Sequence, residues 1–244
     1  MRLLVTRPRE DSEALAAQLR AAGHEVVIDP LLHIEPVDPG PIECEDVQAI
    51  LATSRHALEG LVRHVSLEAI RNLPVIAVGG ATAREAHDLG FTQVSAGSGG
   101  AAELLPTILD RCAPGKGVVL QPSAEEIAVD LTADLVAAGI ELRRVVVYRS
   151  VAANSLATET NAALADGTIE AVILLSARTA SAFATLAGEA IRRRCKPLPA
   201  FCLSTSVARP LAGLPGIALR VSSRPGTQEL LALIEREATQ SMRG

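Results

Sequence analysis

Short runs of Val, Ile, Leu and Ala, each followed by a helical pattern, predict an α/β protein of two parallel-sheet, flavodoxin-like domains. Three observations carry that expectation. Nearly every apolar run precedes a helix-period segment, the pattern of parallel strands joined by crossover helices. The chain also repeats itself. LLVTRPREDSEALAAQLRAAGHEVVIDPLLHI resembles GVVLQPSAEEIAVDLTADLVAAGIELRRVVVYRSV, while LATSRHALEGL with VIAVGGATAREAHDLG resembles LLSARTASAFATL with AFCLSTSVARPLAG. These units run A, B, A′, B′. Finally, crossing-like segments follow A, near Leu31–Pro41, and A′, near Tyr148–Ala153, which favours pairing A with B′ and B with A′. The expected domains are residues 1–33 plus 153–244, from both chain ends, and residues 40–146, with connecting segments at 34–39 and 147–152.

Taken in order, Arg2–Thr6 is a buried-strand run, and Glu10–Ala22 has helical periodicity, with Leu15 and Leu19 on one face and Gly23 closing it. His24–Asp29 is a second strand, stopped by Pro30, and the proline-punctuated LLHIEPVDPGP follows. Val47–Thr53 is a strand, and Ser54 caps a helix running to about Val65. VIAV at Val75–Val78 enters a Gly79-Gly80 turn, and Ala81-Thr82 open a helix. A short strand near Thr92–Ala96 leads to the glycine-rich SAGSGGAAE and a helix over Ala101–Cys112. Val118–Gln121 (strand), Ala124–Ala138 (helix, ending at Gly139) and Leu142–Arg149 (strand) come next. Polar, Ala-rich Val151–Thr168 covers a crossing and a helix. Strands at Ala171–Leu175, Ala200–Leu203 and Ala218–Val221 then alternate with helices at Ala177–Ala187, Val207–Leu211 and Thr227–Thr239.

Composition narrows the function. A chain of 244 residues, 48% hydrophobic but 2% aromatic, can bury a large aliphatic core. A net charge of −5 with no basic block argues against nucleic acid as a partner. Lys116 and Lys196 are the sole lysines; the other basic residues are arginines, whose forks suit carboxylate ligands. Cys44, Cys112, Cys195 and Cys202 lack CxxC spacing and read as reduced thiols of a cytosolic protein. No signal peptide and no membrane-spanning run is expected. His24, His33, His56, His64 and His87 show no ligand spacing, so no metal is assigned.

Several residues carry potential chemistry, each with a plainer alternative. The Gly79–Thr82 turn sets backbone N–H groups, at Gly80 and Ala81, and a hydroxyl at the carboxyl end of a strand, where open α/β sheets bind ligands. Its alternative is a tight turn with Thr82 as a helix cap. No GxGxxG is present, and the glycines at 97–100 are not followed by the Gly-Lys-Ser/Thr of a phosphate loop. Ser54 and Ser176 sit just past buried strands; with Arg55, His56, Ala177 or Arg178 they would present hydroxyls and N–H groups to carboxylates, or simply cap their helices. Tyr148 is the single tyrosine, at a strand end beside a crossing: a phenol there can donate a proton to a leaving group, or anchor a hinge. Arg7 is either a carboxylate partner or a surface arginine.

Assembled, these residues resemble the uroporphyrinogen-III synthase family over essentially the full length. The resemblance lies in the order of Thr6-Arg7-Pro8, Gly23 leading to Pro30-Leu31-Leu32, Thr53-Ser54, Gly79-Gly80-Ala81-Thr82, Gly139 ahead of Val147-Tyr148-Arg149, Ser176, and Thr227-Gln228-Glu229-Leu230. It implies two α/β domains on a two-stranded linker and a cofactor-free lyase, in which hydroxymethylbilane loses water and closes to uroporphyrinogen III with its last ring inverted. It further implies a cytoplasmic monomer in transient contact with hydroxymethylbilane synthase. Tyr148 and Thr82 would be catalytic, and Arg7, Ser54, His56, Gly80, Ala81, Ser176, Ala177, Arg178 and Ser206 would bind substrate. One turn departs from the family pattern: Gly-Pro-Thr-Thr-Ala is replaced by Ser204-Thr205-Ser206-Val207-Ala208, so Val207 stands where a threonine is expected. The rival expectation is a two-lobed anion-binding or sensor protein, or a divergent homologue without activity; a pure binder has little use for a phenol at Tyr148.

Overall fold

A computed structural model describes residues 1–97, 101–127, 130–224 and 226–241. The elements are β1 (Arg2–Val5), α1 (Arg9–Ala21), β2 (Glu25–Ile28), β3 (Leu32–Pro36), β4 (Val47–Ala52), α2 (Arg55–His64), α3 (Leu67–Ile70), β5 (Val75–Ala77) and α4 (Gly80–Asp88). After them come β6 (Val94–Ala96), α5 (Ala101–Arg111), β7 (Val118–Ala124), α6 (Thr132–Ala137), β8 (Glu141–Ala152), α7 (Thr158–Ala165) and β9 (Ala171–Leu174). The chain ends with α8 (Ala177–Arg192), β10 (Leu198–Cys202), α9 (Thr205–Ala208), a 3-10 turn at Arg209–Leu211, β11 (Ile217–Val221) and α10 (Thr227–Ser241).

These elements form two compact units, residues 1–33 with 151–244 (unit 1) and residues 34–150 (unit 2). Unit 1 holds a sheet in the order β2-β1-β9-β10-β11, every pairing parallel. Unit 2 holds β8-β7-β4-β5-β6, again with parallel pairings. The two orders are one pattern. In each, two strands of an A-type unit lie beside three of a B-type unit; in chain order unit 1 runs 2-1-3-4-5 and unit 2 runs 3-2-1-4-5, the same doubly wound arrangement circularly permuted.

β3 departs from the parallel rule. It flanks β8 at the sheet edge, where Val37 N–H donates to the Val147 carbonyl, and Ala153 N–H donates to the Leu31 carbonyl. Partner numbers fall as the chain advances, which is antiparallel pairing. Part of the proline-punctuated segment after β2 is thus a strand, Leu32–Pro36.

Each sheet buries both faces, as its near-continuous apolar strands require. In unit 1, Leu15 and Leu19 of α1 and Leu230 and Ile234 of α10 cover one face, while Phe183, Ala187 and Ile191 of α8 cover the other. In unit 2, Leu58 and Leu61 of α2 with Phe91 cover one face; Leu104 and Ile108 of α5 and Leu135 of α6 cover the opposite one. Burying each such side chain contributes about 1.5–3 kcal/mol, so this largely aliphatic packing stabilises each unit by itself.

The helix expected over Ala124–Ala138 is shorter. β7 continues through Ala124, and α6 spans Thr132–Ala137; residues 128 and 129 of the expected helix lie outside the described residues. Arg144 explains the difference: its Nε donates to Ser123 Oγ at 2.9 Å and its Nη2 to the Ala124 carbonyl at 2.7 Å, holding that backbone extended. Tertiary contacts override the local helical preference. Of the glycine-rich turn at 97–100, residues 98–100 lie outside the described residues.

Candidate active site

Ligands of doubly wound sheets bind beyond the carboxyl ends of the strands, at the point where strand order reverses. In unit 2 that point lies between β7 and β4, and the chain leaving β4 enters α2 through Thr53 and Ser54. Ser54 is extended, and its Oγ accepts the Ala57 N–H at 3.1 Å, an N-cap. The same oxygen lies 2.9 Å from the Tyr148 phenol oxygen on β8. Ser54 therefore does cap its helix, as the plainer expectation had it, yet it also reaches a second element.

His56 packs its ring against Tyr148 edge to face, with centroids 5.9 Å apart and planes at 62°. Its Nδ1 pairs with Glu59 Oε2 at 3.1 Å, within one turn of α2. The sequence groups Ser54 with His56 and leaves Tyr148 apart; the fold brings all three together.

A glycine sets this contact. A Cβ on Gly60, in the middle of α2, would lie 2.6 Å from Val147 Cγ2 and 2.8 Å from its Cβ, so α2 approaches β8 as closely as it does only because residue 60 has none. The approach occurs beside Tyr148 and holds the Ser54 end of α2 near the phenol.

The Gly79–Thr82 turn lies between β5 and α4. Gly79 is the N-cap, extended at φ −167°, and no side chain caps the helix. Thr82 is thus not the cap; it occupies the first turn and is 6% exposed. Neither glycine has positive φ, so the backbone alone demands neither of them. A Cβ on Gly80 would meet nothing within 4 Å. What the turn provides is an open, uncapped helix start whose N–H groups suit an anion.

Glu85, one turn along α4 from Thr82, was not anticipated. Burial, followed by the Glu59 charge, raises its pKa, while the Arg55 guanidinium acts against the rise. Glu59, Arg55 and Glu85 carry no sequence motif; only the packing of α2 against α4 makes them neighbours.

In unit 1 the corresponding caps turn inward. Ser176 Oγ accepts the Thr179 N–H at 3.1 Å and lies 2.7 Å from Thr179 Oγ1, both within the start of α8. Ala177 and Arg178 are the first two residues of that helix, Ala177 exposed and Arg178 half-buried. Ser204 caps α9, accepting the Val207 N–H at 3.4 Å and pairing with Ser206 Oγ at 2.8 Å. Val207 is buried and Ser206 exposed. Arg7, just past β1, pairs with Asp11 at 3.2 Å.

Burial pushes the Cys202 thiol up to about 11, and raises Cys112 as well, so neither buried sulfur is a ready nucleophile. Among the described residues no group of three or more His, Cys, Asp or Glu could hold a metal ion. Nor is any helix among them long and apolar enough to cross a membrane.

Among solved structures, the fold is similar to that of the uroporphyrinogen-III synthetase from Helicobacter pylori: 20% identity, TM-score 0.62, covering 97% of this chain and 100% of that one. A mutant uroporphyrinogen III synthase from Thermus thermophilus is similar at 18% identity and TM-score 0.56, covering 98% and 99%. At such identity these likenesses concern the fold. No curated protein matches in sequence. The family described as uroporphyrinogen-III synthase HemD matches residues 13–232. That span takes in the Ser54 and Gly79–Thr82 turns, Tyr148, Ser176 and the diverged turn at Ser204. The chain therefore belongs to the uroporphyrinogen-III synthase family, enzymes of tetrapyrrole synthesis that act on hydroxymethylbilane.

Proposed function

We propose that this chain is a cyclising hydro-lyase that closes hydroxymethylbilane to uroporphyrinogen III with inversion of ring D. One observation carries the reading: the single tyrosine, Tyr148, is held 2.9 Å from a helix-capping hydroxyl beside the uncapped α4 turn of unit 2. A sole phenol mounted in this way suits a proton donor to a departing hydroxyl.

The phenol proton passes to the hydroxyl, the C–O bond breaks, and water leaves an electron-deficient azafulvene. The substituted carbon of the terminal pyrrole attacks it to give a spiro centre. That carbon's bond to the neighbouring bridge carbon then breaks, leaving a second azafulvene. The free α-carbon of the same, now inverted, ring attacks this azafulvene, and the proton lost from that α-carbon restores the phenol. Atoms balance with water as the only by-product, so the step needs no cofactor. The remaining task is conformational control of a flexible octacarboxylate. The Gly80 and Ala81 N–H groups and the buried Thr82 hydroxyl at the start of α4 suit a carboxylate and the charge that develops on closure. Ser54 and His56 in unit 2, and Arg7, Ser176, Ala177, Arg178 and Ser206 in unit 1, are further carboxylate positions.

The two compact units are read as two domains, residues 1–33 plus 153–244 and 40–146, with the strands at 34–39 and 147–152 linking them; the paired β3 and β8 support this. The enzyme is read as a cytoplasmic monomer that takes its unstable substrate from hydroxymethylbilane synthase; its free cysteines agree with a reducing compartment.

The test is the isomer ratio. Hydroxymethylbilane generated in situ by the preceding enzyme is incubated with this protein, and the oxidised uroporphyrins are separated. Isomer III in excess over spontaneous isomer I is expected, and Tyr148→Phe should slow its formation about a hundredfold. Isomer I alone, from folded protein, would leave an anion-binding protein as the better reading.

A further inference from the structure

We propose that Ser54 is a positioning residue, donating its hydroxyl proton to the Tyr148 phenol oxygen so that this oxygen is fixed and the negative charge it gains as the phenol proton leaves is stabilised. The inference rests on the reading of Tyr148 as proton donor, and it changes the part Ser54 plays from carboxylate ligand to mount.

Donor accounting gives the direction of the bond. Ser54 Oγ already accepts the Ala57 N–H at 3.1 Å, and the phenol oxygen stands 2.9 Å away. Were the phenol the donor, Ser54 Oγ would accept twice, and its own proton would have no acceptor among the described residues. With Ser54 as donor, the serine uses one lone pair and its proton, and the phenol oxygen is fixed.

Two further contacts hold the arrangement. The His56 ring lies edge to face on the phenol, 5.9 Å between centroids, and the Glu59 carboxylate anchors that imidazole at 3.1 Å. Gly60 lets α2 approach the side chain of Val147, the residue before Tyr148, more closely than a Cβ at position 60 would permit. The phenol oxygen also faces the amino-terminal end of α2, where the helix dipole favours negative charge on it as the proton leaves.

The composition supplies an unusually direct assay. Tyr148 is the only tyrosine and there is no tryptophan, so near-ultraviolet absorbance follows the ionisation of this one phenol without background, whether or not the protein turns over. The comparison is between the natural chain, Ser54→Gly and Ser54→Thr. Glycine is accepted at N-cap positions at little cost, so Ser54→Gly removes the hydroxyl while α2 keeps its start. Expected for Ser54→Gly are a phenol midpoint moved to higher pH and kcat lowered about tenfold at unchanged KM. Ser54→Thr should restore both. An unchanged midpoint in Ser54→Gly overturns the proposal, as does a raised KM with kcat intact, the signature of a lost substrate ligand. A shifted midpoint in a protein whose Tyr148→Phe variant still forms isomer III at full rate would sink the catalytic reading of Tyr148 but leave the Ser54 contact standing, so the two failures are told apart.

Discussion

The α4 turn of unit 2 and the α9 turn of unit 1 have one shape and opposite chemistry. Counted from the N-cap, Gly79, Gly80, Ala81, Thr82 and Ala83 correspond to Ser204, Thr205, Ser206, Val207 and Ala208. In both, the first residue is half-buried, the next two are exposed, and the last two are buried. Yet Gly79 leaves its helix start without a side-chain cap, whereas Ser204 takes up the Val207 N–H itself. The buried third helical position carries a hydroxyl in Thr82 and only methyls in Val207. The neighbouring pair differs in the same way. Ser54 spends its second interaction on Tyr148, while Ser176 spends it on Thr179 of its own helix. Fold repetition fixes where donors can be; whether a turn offers them outward or satisfies them internally rests on single residues. Unit 2 looks outward.

Copying unit 1 into unit 2 is the sharpest way to break this comparison. Thr82→Val should lower kcat for isomer III by roughly a hundredfold to a thousandfold, the range for removing one donor from a developing charge. The reverse change, Val207→Thr, should cost about 1 kcal/mol of stability by burying a hydroxyl, with no gain in rate. Equal effects of the two on turnover would remove the asymmetry. Next in size is Gly60→Ala, whose new Cβ must displace Val147: about 1–3 kcal/mol of destabilisation in a denaturant titration, with loss of rate as Ser54 moves from Tyr148. Gly80→Ala meets open space and should change stability by no more than about 0.5 kcal/mol.

The smallest effect concerns pH. Because Glu85 holds its proton more tightly when folded than at its ordinary value of 4.5, its ionisation opposes folding, and stability declines as pH rises from about that value through the raised pKa. Glu85→Gln should therefore unfold at higher temperature than the natural chain at neutral pH. The two melting curves should converge below the ordinary carboxylate range, and a variant less stable at neutral pH would contradict the assignment.

Much of the fold was legible because its signals are local. A buried parallel strand reads as a short apolar run, as at Val47–Ala52 and Ala171–Leu174. Ser54 and Ser176 lie one residue before their helices, where capping chemistry places them. The errors arose where distant residues decide. Nothing near Ala124 announces that Arg144, twenty residues on, holds that stretch extended. A glycine inside a helix normally reads as a weak point, and Gly60 acquires its meaning only from Val147 on another element. Glu59 and Glu85 are ordinary surface-helix residues until α2 and α4 pack. Thr82 was visible as a hydroxyl after a glycine turn, but whether it caps or lies inside the first turn required the backbone.

The order of strands in unit 1 also shapes how the protein is made. Leu3 of β1 pairs on one side with Val26 and on the other with Ala171. Unit 2, drawn from the contiguous residues 34–150, can complete its five parallel strands as soon as they leave the ribosome. β1 has one edge open until β9 has been synthesised, a delay on the order of ten seconds at typical elongation rates. During that interval RLLV is an apolar strand edge without its partner, and its exposure to aggregation ends only when the last third of the chain arrives.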